Sequence, residues 1–417
     1  MILTGLALIL LALLGAPLFA VIAASALLGF ARSGVDPMVV VMEVYRIAET
    51  PVLIAIPLFT FAGYMLGESR APQRLVRVSD ALLGWMPGGL AVVSLLTCAL
   101  FTAFTGASGV TIVAVGALLY PALRDAGYRE TFNLGLITTS GSLGLLFAPS
   151  LPLILYGIVA EVPVDRMFIA GILPGLLMLL LLSAHSIREG RHLDRPKKPF
   201  SLSEAGAALR EAMWELPLPV IVLGGVYAGV FAVSEAAVVT ALYVLVVEVV
   251  IHREISLQAL PSVMRSSMVL VGGILVILGA SLASTNYMID AQVPQQLFDL
   301  VTAHISSKLT FLILLNLFLL VLGMMLDVFS ALVIVVPLIL PIAAGFGIDP
   351  VHLGIIFLAN MQIGYCTPPV GMNLFIASYR FDKPVVTLYR AAVPFLVLLF
   401  AAVLLITYWP WLSLALL

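Results

Sequence analysis

Asp327 is the only ionisable side chain between Thr310 and Ile348, in the run LGMMLDVFSALVIVVP. A carboxylate at the centre of a spanning helix costs about 2.5–3.5 kcal/mol on insertion scales, so an acid placed there is expected to have a function. It can bind a cation, relay a proton, or cap a half-helix that starts after a turn, with Ser330 on the following turn. A second run, TAFTGASGVTIVAVGALLYP, is interrupted by Thr105, Gly106, Ala107, Ser108, Gly109 and Thr111. Small residues permit close approach and hydroxyls offer oxygen ligands. Such a tip suits a chain reversal inside the membrane or a small-residue packing face.

Two further runs, TTSGSLGLLFAPSLP (138–152) and MQIGYCTPPVGMN (361–373), place Gly and Pro inside long apolar stretches. Pro149, Pro368 and Pro369 remove backbone donors and free the carbonyls a turn earlier. Freed carbonyls beside Ser140, Ser142, Ser150 and Thr367 suit Na+, a hard cation that prefers oxygen. Half-helix N-termini just after each Pro present N–H groups and a positive dipole end, which suit a carboxylate. The plainer alternative is a proline kink in an ordinary helix.

Other chemistry finds little support. His185, His192, His252, His304 and His352 lie near loops without metal-ligand spacing. Cys98 and Cys366, the 2 cysteines, sit in apolar segments and offer neither a disulfide framework nor a zinc set. No Gly-x4-Gly-Lys-Ser/Thr motif is present, which argues against an ATP-driven motor. A net charge of −2 gives no basic field for nucleic acid. Glu235, in VFAVSEAA, reads as a cap or an interfacial acid.

The elements that carry these groups must be membrane helices. Of 417 residues, 62% are hydrophobic and 10% charged, against about 45–50% and about 25% in soluble domains. Mean hydropathy is +1.17. The solvent is lipid. A span needs about 20 apolar residues. Candidates are 2–31, 51–66, 131–158, 168–186, 215–232, 236–251, 267–285, 352–378 and 391–412. The first is too long and apolar for a signal peptide. Stretches 81–121 and 309–342 are interrupted near their middles and read as two spans each or as re-entrant hairpins. With both re-entrant and the N-terminus inside, only Arg32, Arg46, Arg166 and Lys308 of the 20 basic residues fall in outside loops. That bias fixes a cytoplasmic N-terminus. The polar segment 187–216 reads as a cytoplasmic linker. Ser201 or Ser203 would cap an amphipathic helix there, with Leu202, Ala205, Leu209 and Trp214 near one side.

The chain also repeats itself. A shift of 220 carries Pro121 onto Pro341, Gly127 onto Gly347, Gly144 onto Gly364 and Pro149 onto Pro369. Equivalent loops carry opposite charge: 66–80 holds Arg70, Arg74 and Arg77, while 286–300 holds Asp290 and Asp299 and no base. Inverted repeats with paired broken helices point to a secondary transporter with its site at mid-membrane. The expected class is an all-α polytopic membrane protein built from two such repeats. Scaffold helices occupy 1–66 and 217–285. Repeat 1 is 67–186, with hairpin 81–121 and broken helix 131–158. Repeat 2 is 286–390, with hairpin 309–342 and broken helix 352–378, and a last helix occupies 391–417.

These strings, in order, resemble a known family. GASGVTIVAVGALLYPALRDAGY, SGSLGLLFAPSLPLILYGI, LDVFSALVIVVPLILPIAAGFGIDPVHLGIIF and GYCTPPVGMNLFIAS are similar to the large membrane subunit of tripartite ATP-independent periplasmic (TRAP) transporters. IPLFTFAGYML, WMPGGLAVV and GGVYAGVFAVSEAA fit as well, so the likeness covers nearly the whole chain. It implies an elevator-type carrier in a bacterial inner membrane, importing an organic acid with Na+ as coupling ion and no other cofactor. Its implied partners are a separate small membrane subunit and a periplasmic binding protein. Carried over by motif, a first Na+ site would draw on Thr105, Gly106, Ser108, Ser140, Gly141, Gly144 and Pro149. A second would draw on Asp327, Ser330, Gly364, Cys366, Thr367 and Pro369. Ala107, Ser108, Ser150, Pro368, Gly371 and Asn373 would face the substrate. The chain departs from the family at Ala107, where a Ser is usual, at Ala148, where a first Pro is usual, and at Ala232–Ser234 before Glu235. Rival readings are a single-component sodium–carboxylate carrier and, from another class, an intramembrane enzyme.

Overall fold

The computed structural model describes residues 7, 8, 10, 11, 14–191 and 200–417. The start of the expected first span and the linker residues His192, Arg195, Lys197 and Lys198 lie outside the described residues. Among the described residues the chain is helical and carries no strand. Among these residues seven helices are long and apolar enough to cross a membrane, and one bent pair, Glu130–Leu146 with Leu151–Val159, adds a broken span at 44°.

In chain order the N-terminal helices are α1 (Leu18–Ser33), α2 (Met38–Arg46) and α3 (Ala55–Glu68). An amphipathic helix, α4 (Ala71–Leu83), leads into α5 (Gly89–Thr105) and α6 (Ser108–Asp125). The first broken helix is α7 (Glu130–Ser140) and α8 (Leu151–Val159), followed by α9 (Val164–Ala170) and α10 (Ile172–Gly190). A middle group follows: α11 (Leu202–Glu211), α12 (Pro217–Tyr227), α13 (Val233–Leu245, widening to a π-turn at Val246–Ile251) and α14 (Leu260–Asp290). Then come α15 (Val293–His304), α16 (Lys308–Met325), α17 (Val328–Gly345), the second broken helix α18 (Pro350–Gly364) and α19 (Met372–Phe381), and α20 (Val385–Tyr408) with α21 (Trp411–Leu414). The first hairpin is thus α5–α6, starting at Gly89 rather than near residue 81, because the residues before it form α4. Pro121 and Pro341 do not end their helices. Each lies inside one, α6 and α17, which run on to Asp125 and Gly345.

Local chemistry explains the boundaries. Gly106 ends α5 with φ +64°, and a Cβ there would lie 2.6 Å from Leu151 Cδ1, so only glycine fits this reversal. Asp349 caps α18 by accepting the N–H groups of Val351 and His352 at 2.8 and 3.3 Å, with Pro350 at the first helical position. Glu235 accepts the Ala232 N–H at 2.9 Å and closes the start of α13. Ser201 Oγ accepts the Glu204 N–H at 3.3 Å and begins α11. The inward stripe of α11 is Ala205, Ala208 and Ala212, packed near Val78 of α4. Leu202 and Leu209 are 80% and 40% exposed.

The repeats are visible in the packing. A Cβ on Gly144 would come within 2.4 Å of the Ala103 nitrogen, and one on Gly364 within 2.5 Å of Gly323 Cα. Ala103 and Gly323 differ by the same 220 positions as Gly144 and Gly364. Each break is therefore pressed backbone to backbone against its own hairpin arm. Cis peptide bonds stand at Ala148–Pro149 and at Pro368–Pro369, again repeat equivalents. Ser142 Oγ donates to the carbonyl of Gln362, its own equivalent, at 3.3 Å. A residue touching its own image marks the pseudo-twofold axis, which runs between the two breaks.

Sequence reading treated Arg74 as loop charge. It is 5% exposed. Its Nε donates to Glu215 Oε1 at 2.6 Å, its Nη1 to Glu254 Oε1 at 2.6 Å, and its Nη2 faces Glu248 at 3.4 Å. Burial depresses the guanidinium pKa, and Glu254, Glu215 and Glu248 more than offset this, so the net direction is upward. The cluster fastens α4, the lead into the first hairpin, to Glu215 just before α12, to Glu248 at the end of α13 and to Glu254 in the loop that follows it.

Three outcomes follow. Arg74→Gln leaves three carboxylates facing one another and costs on the order of 3 kcal/mol, read as a lowered thermal midpoint of the detergent-purified protein. Glu248→Gln removes one excess negative charge and leaves that midpoint nearly unchanged. Gly364→Val should lower it sharply, because the neighbour it meets is backbone rather than a movable side chain.

Candidate functional site

The faces follow from the span order. The loops after α3, α6, α10 and α19 share one face, and those after α8, α14 and α17 share the other. Hairpin α5–α6 enters from the first face and hairpin α16–α17 from the second. Gly106, Ala107, Ser108 and Gly109 of one tip nevertheless line the same cavity as Asp327, Val328 and Phe329 of the other. Two tips from opposite faces can share a cavity only if both turn inside the membrane. The cavity measures about 640 Å³.

Its remaining walls come from both breaks and from two helices outside the repeats' hairpins. Leu145 and Tyr365 belong to the breaks, with Met372 and Ile376 on α19. Val110, Val113 and Ala114 continue along α6. Tyr64, Gly67 and Glu68 of α3 and Leu270 of α14 close the far side. Glu68, Val113, Ala114 and Ile376 all lie between the tips and the face that holds Arg70, Arg129 and Lys383. The cavity extends toward that basic face.

Asp327 acts here as the cap of α17. Its Oδ1 accepts the Phe329 and Ser330 N–H groups at 3.0 Å each, and its Oδ2 accepts Ser330 Oγ at 2.5 Å. The Val328 N–H, the first of that helix, donates to the hydroxyl oxygen of Tyr365. The equivalent start of α6 differs. Ala107 has the extended backbone of a cap and no side-chain acceptor, so the Gly109 and Val110 amides at the cavity wall receive no side-chain cap. The two tips share a backbone but not a charge.

The other expected residues divide between wall and support. Ala107 and Ser108 line the cavity. Ser108 Oγ also donates to Asn373 Oδ1 at 2.7 Å, joining the first tip to the second break. Asn373 is fully buried, and its Nδ2 donates to the Thr138 carbonyl at 3.4 Å. Cys366 Sγ reaches the same carbonyl at 3.5 Å. Gly141 offers its carbonyl to Thr102 Oγ1 at 2.8 Å, and Thr102 meets Thr111 at 2.6 Å. Thr105 is buried, and its Oγ1 accepts the Ala107 N–H at 3.5 Å. Ser140 and Thr367 turn back onto the carbonyls of Ile137 and Ile363. Gly144 and Gly364 are packing contacts, and Pro149 is buried behind them.

Of the residues expected to face substrate, four are not on the wall. Ser150 is fully buried and donates to the Leu145 carbonyl at 2.8 Å. Asn373 is spent on Ser108 and Thr138. Gly371, at φ +48°, donates its N–H to the Met324 carbonyl at 3.2 Å and ties the break to the hairpin. Pro368 lies outside the cavity lining, while the carbonyl of Pro369 accepts the Tyr389 hydroxyl at 2.5 Å. The proline turns set the chain direction, and the residues one turn to either side form the wall. Sequence reasoning missed Tyr365, Tyr64, Glu68 and Leu270. The Tyr beside Gly364, in GYCTPP, was the one available signal.

The family described as "Tripartite ATP-independent periplasmic transporter, DctM component" matches residues 5–412. A C4-dicarboxylate TRAP transporter large permease of Pseudomonas aeruginosa is 36% identical over 376 residues, 90% of this chain and 88% of that one. An ectoine/5-hydroxyectoine TRAP transporter large permease of Ruegeria pomeroyi is 32% identical over 98% of this chain and 96% of its own. A sialic acid TRAP transporter large permease of Vibrio cholerae is 32% identical over 86% and 84%. These relatives are named as permeases, not as enzymes. Among solved structures, the YdaH transporter of Alcanivorax borkumensis aligns with a TM-score of 0.64 over 90% of this chain and 88% of that one. At 17% identity this speaks for the fold alone. Opposed hairpins, paired breaks and a match over almost the whole length agree: this multi-pass membrane protein belongs to the TRAP transporter family, as a DctM-type large permease component.

Proposed function

We propose that this permease imports an organic acid across a bacterial inner membrane, driven by a sodium gradient, with the acid delivered by a periplasmic binding protein and a separate small membrane subunit completing the assembly. The observation that carries this reading is the meeting of both hairpin tips on one cavity bounded by α3 and α14. A body made of hairpins and broken helices, set against separate helices, is suited to carry that cavity between faces as an elevator. The concentration of basic residues on the face toward which the cavity extends supports a cytoplasmic assignment of that face, and with it a cytoplasmic N-terminus.

The chemistry of the tips suits an anion and a cation together. The open first turn of α6 offers N–H groups and a positive dipole end to a carboxylate. The start of α17 is already occupied by its own Asp327 carboxylate. Asp327 brings negative charge to the cavity, where a sodium ion would balance it, and the breaks supply the neutral oxygens that sodium prefers. The residues proposed for sodium are therefore the Thr105–Ser108 tip with the Ser140–Pro149 break, and the Asp327–Ser330 tip with the Gly364–Pro369 break. Relatives named for C4-dicarboxylates, sialic acid and ectoine support a small organic acid or zwitterion as cargo.

Asp327→Asn separates the two duties of this residue, because Asn caps a helix about as well as Asp. In proteoliposomes with the small subunit and binding protein, the variant should fold normally and lose sodium-driven uptake by at least about tenfold. Uptake with unchanged sodium dependence would leave Asp327 as a cap alone. Full uptake by the permease without its binding protein would point instead to a single-component carrier.

A further inference from the structure

The internal symmetry offers a way to ask which residues read the cargo. Residues that build the site obey the repeat: Gly144 matches Gly364, and Ala107 and Asp327 share the position just before the second hairpin helix. The same shift of 220 carries Leu145 onto Tyr365, and both line the cavity. Repeat 1 thus presents Ala107 and Leu145 to the cargo, whereas repeat 2 presents a carboxylate and a phenol. Ala107 and Asp327 have the same extended backbone, so the turn itself does not require the carboxylate.

Tyr365 is 4% exposed. Its oxygen accepts the N–H of Val328, another wall residue, so the hydroxyl lies at the edge of the cavity. A phenol also carries one O–H donor. Among the described residues no acceptor takes that proton. Asp327 does not: its oxygens accept Phe329, Ser330 and the Ser330 hydroxyl. A buried donor left without an acceptor is costly, and for a wall residue the acceptor's place is the cavity.

We propose that Tyr365 is a specificity-determining residue whose hydroxyl donates a hydrogen bond to an uncharged oxygen of the transported acid, a hydroxyl or carbonyl set apart from its carboxylate. The inference rests on the transport reading above and narrows its cargo. Asp327, next to Tyr365, would be balanced by the sodium ion of that reading, which leaves this pole no net positive charge for a second carboxylate, while the open start of α6 accepts the first. Hydroxylated or oxo acids fit the two poles, and plain dicarboxylates fit them less well.

The test uses the detergent-purified permease with its small subunit, in sodium chloride, with gluconate, N-acetylneuraminate and succinate as separate probes. Thermal unfolding is followed as each acid is titrated. Gluconate or N-acetylneuraminate should stabilise the wild type at lower half-saturating concentration than succinate. Tyr365→Phe should raise that concentration about tenfold, the size of one lost hydrogen bond, and leave the value for succinate unchanged. Loss of the contact to Val328 alone would lower the unliganded midpoint and leave every half-saturation in place, which overturns the proposal. Stabilisation by none of the acids, or by succinate as tightly, overturns it too, while sodium-driven uptake would still stand as a separate measurement.

Discussion

A backbone that turns inside a bilayer has no water to complete its hydrogen bonds, and this requirement organises the whole molecule. At the first tip, Gly106 makes the reversal and the fully buried Thr105 accepts the Ala107 N–H. At the second, Asp327 and Tyr365 together take the first three amides of α17. The breaks meet the same demand by leaning on the hairpins: Gly371 donates to Met324, and Ser108 donates to Asn373. Neither hairpin could form without the broken helix beside it. The hairpins and breaks are therefore one cooperative unit, held by close glycine backbone contacts and by side-chain hydrogen bonds between tip and break.

Much of this was legible in the sequence because Gly and Pro act on the backbone wherever they fall. The pairs Gly144/Gly364 and Pro149/Pro369 fall at or inside the two breaks, Gly141–Ser150 and Tyr365–Gly371, and the isolated Asp327 marked the second tip. Wall membership was not legible. Whether Ser150 or Leu145 faces the cavity depends on helix rotation, and both residue types are at home in either place. The buried Arg74 was hidden for a related reason. In a chain where basic residues gather in loops, an arginine between apolar helices reads as loop charge, and nothing local distinguishes it from Arg77. Glu215, Glu248 and Glu254 reveal it only once the fold has brought them within reach. On α11, Leu202 and Leu209 are exposed while Ala205 and Ala208 are buried. On an interfacial helix the apolar side need not face the protein, and alanines make the close contact.

Symmetry sets what the site can be, and departures from it set what the site does. Two identical tips would present two identical helix starts, and a cargo carrying one carboxylate would find two equal places for it. Supplying one start with its own carboxylate removes that degeneracy. In the transport reading proposed above, the cargo would then take one orientation relative to the pseudo-twofold axis near Ser142 and Gln362, and a coupling cation would find a fixed negative partner on the other side. Tyr365 strengthens the same bias, since it completes the second cap while Leu145 leaves the first repeat's wall apolar.

The cluster around Arg74 bears on the same body from outside. An elevator needs one part held still while the other moves, and α4 is the covalent lead into the first hairpin. Its anchorage is ionic and buried, with three carboxylates on one guanidinium, so it is costly to break one partner at a time. It lies at the basic face, toward which the cavity extends, and away from the tips. Attachment at the first turn of α4 lies away from the tips, which meet α3 at Gly63 and α14 through the Ser281 hydroxyl on the Val333 carbonyl, with Tyr64, Gly67 and Leu270 on the cavity. Those walls hold Glu68 as their single charged group, so a moving body meets few hydrogen bonds that must be broken. A firmly pinned lead and a weakly bonded sliding surface are the two mechanical conditions that the proposed movement requires, and the chain supplies both with residues of opposite chemistry.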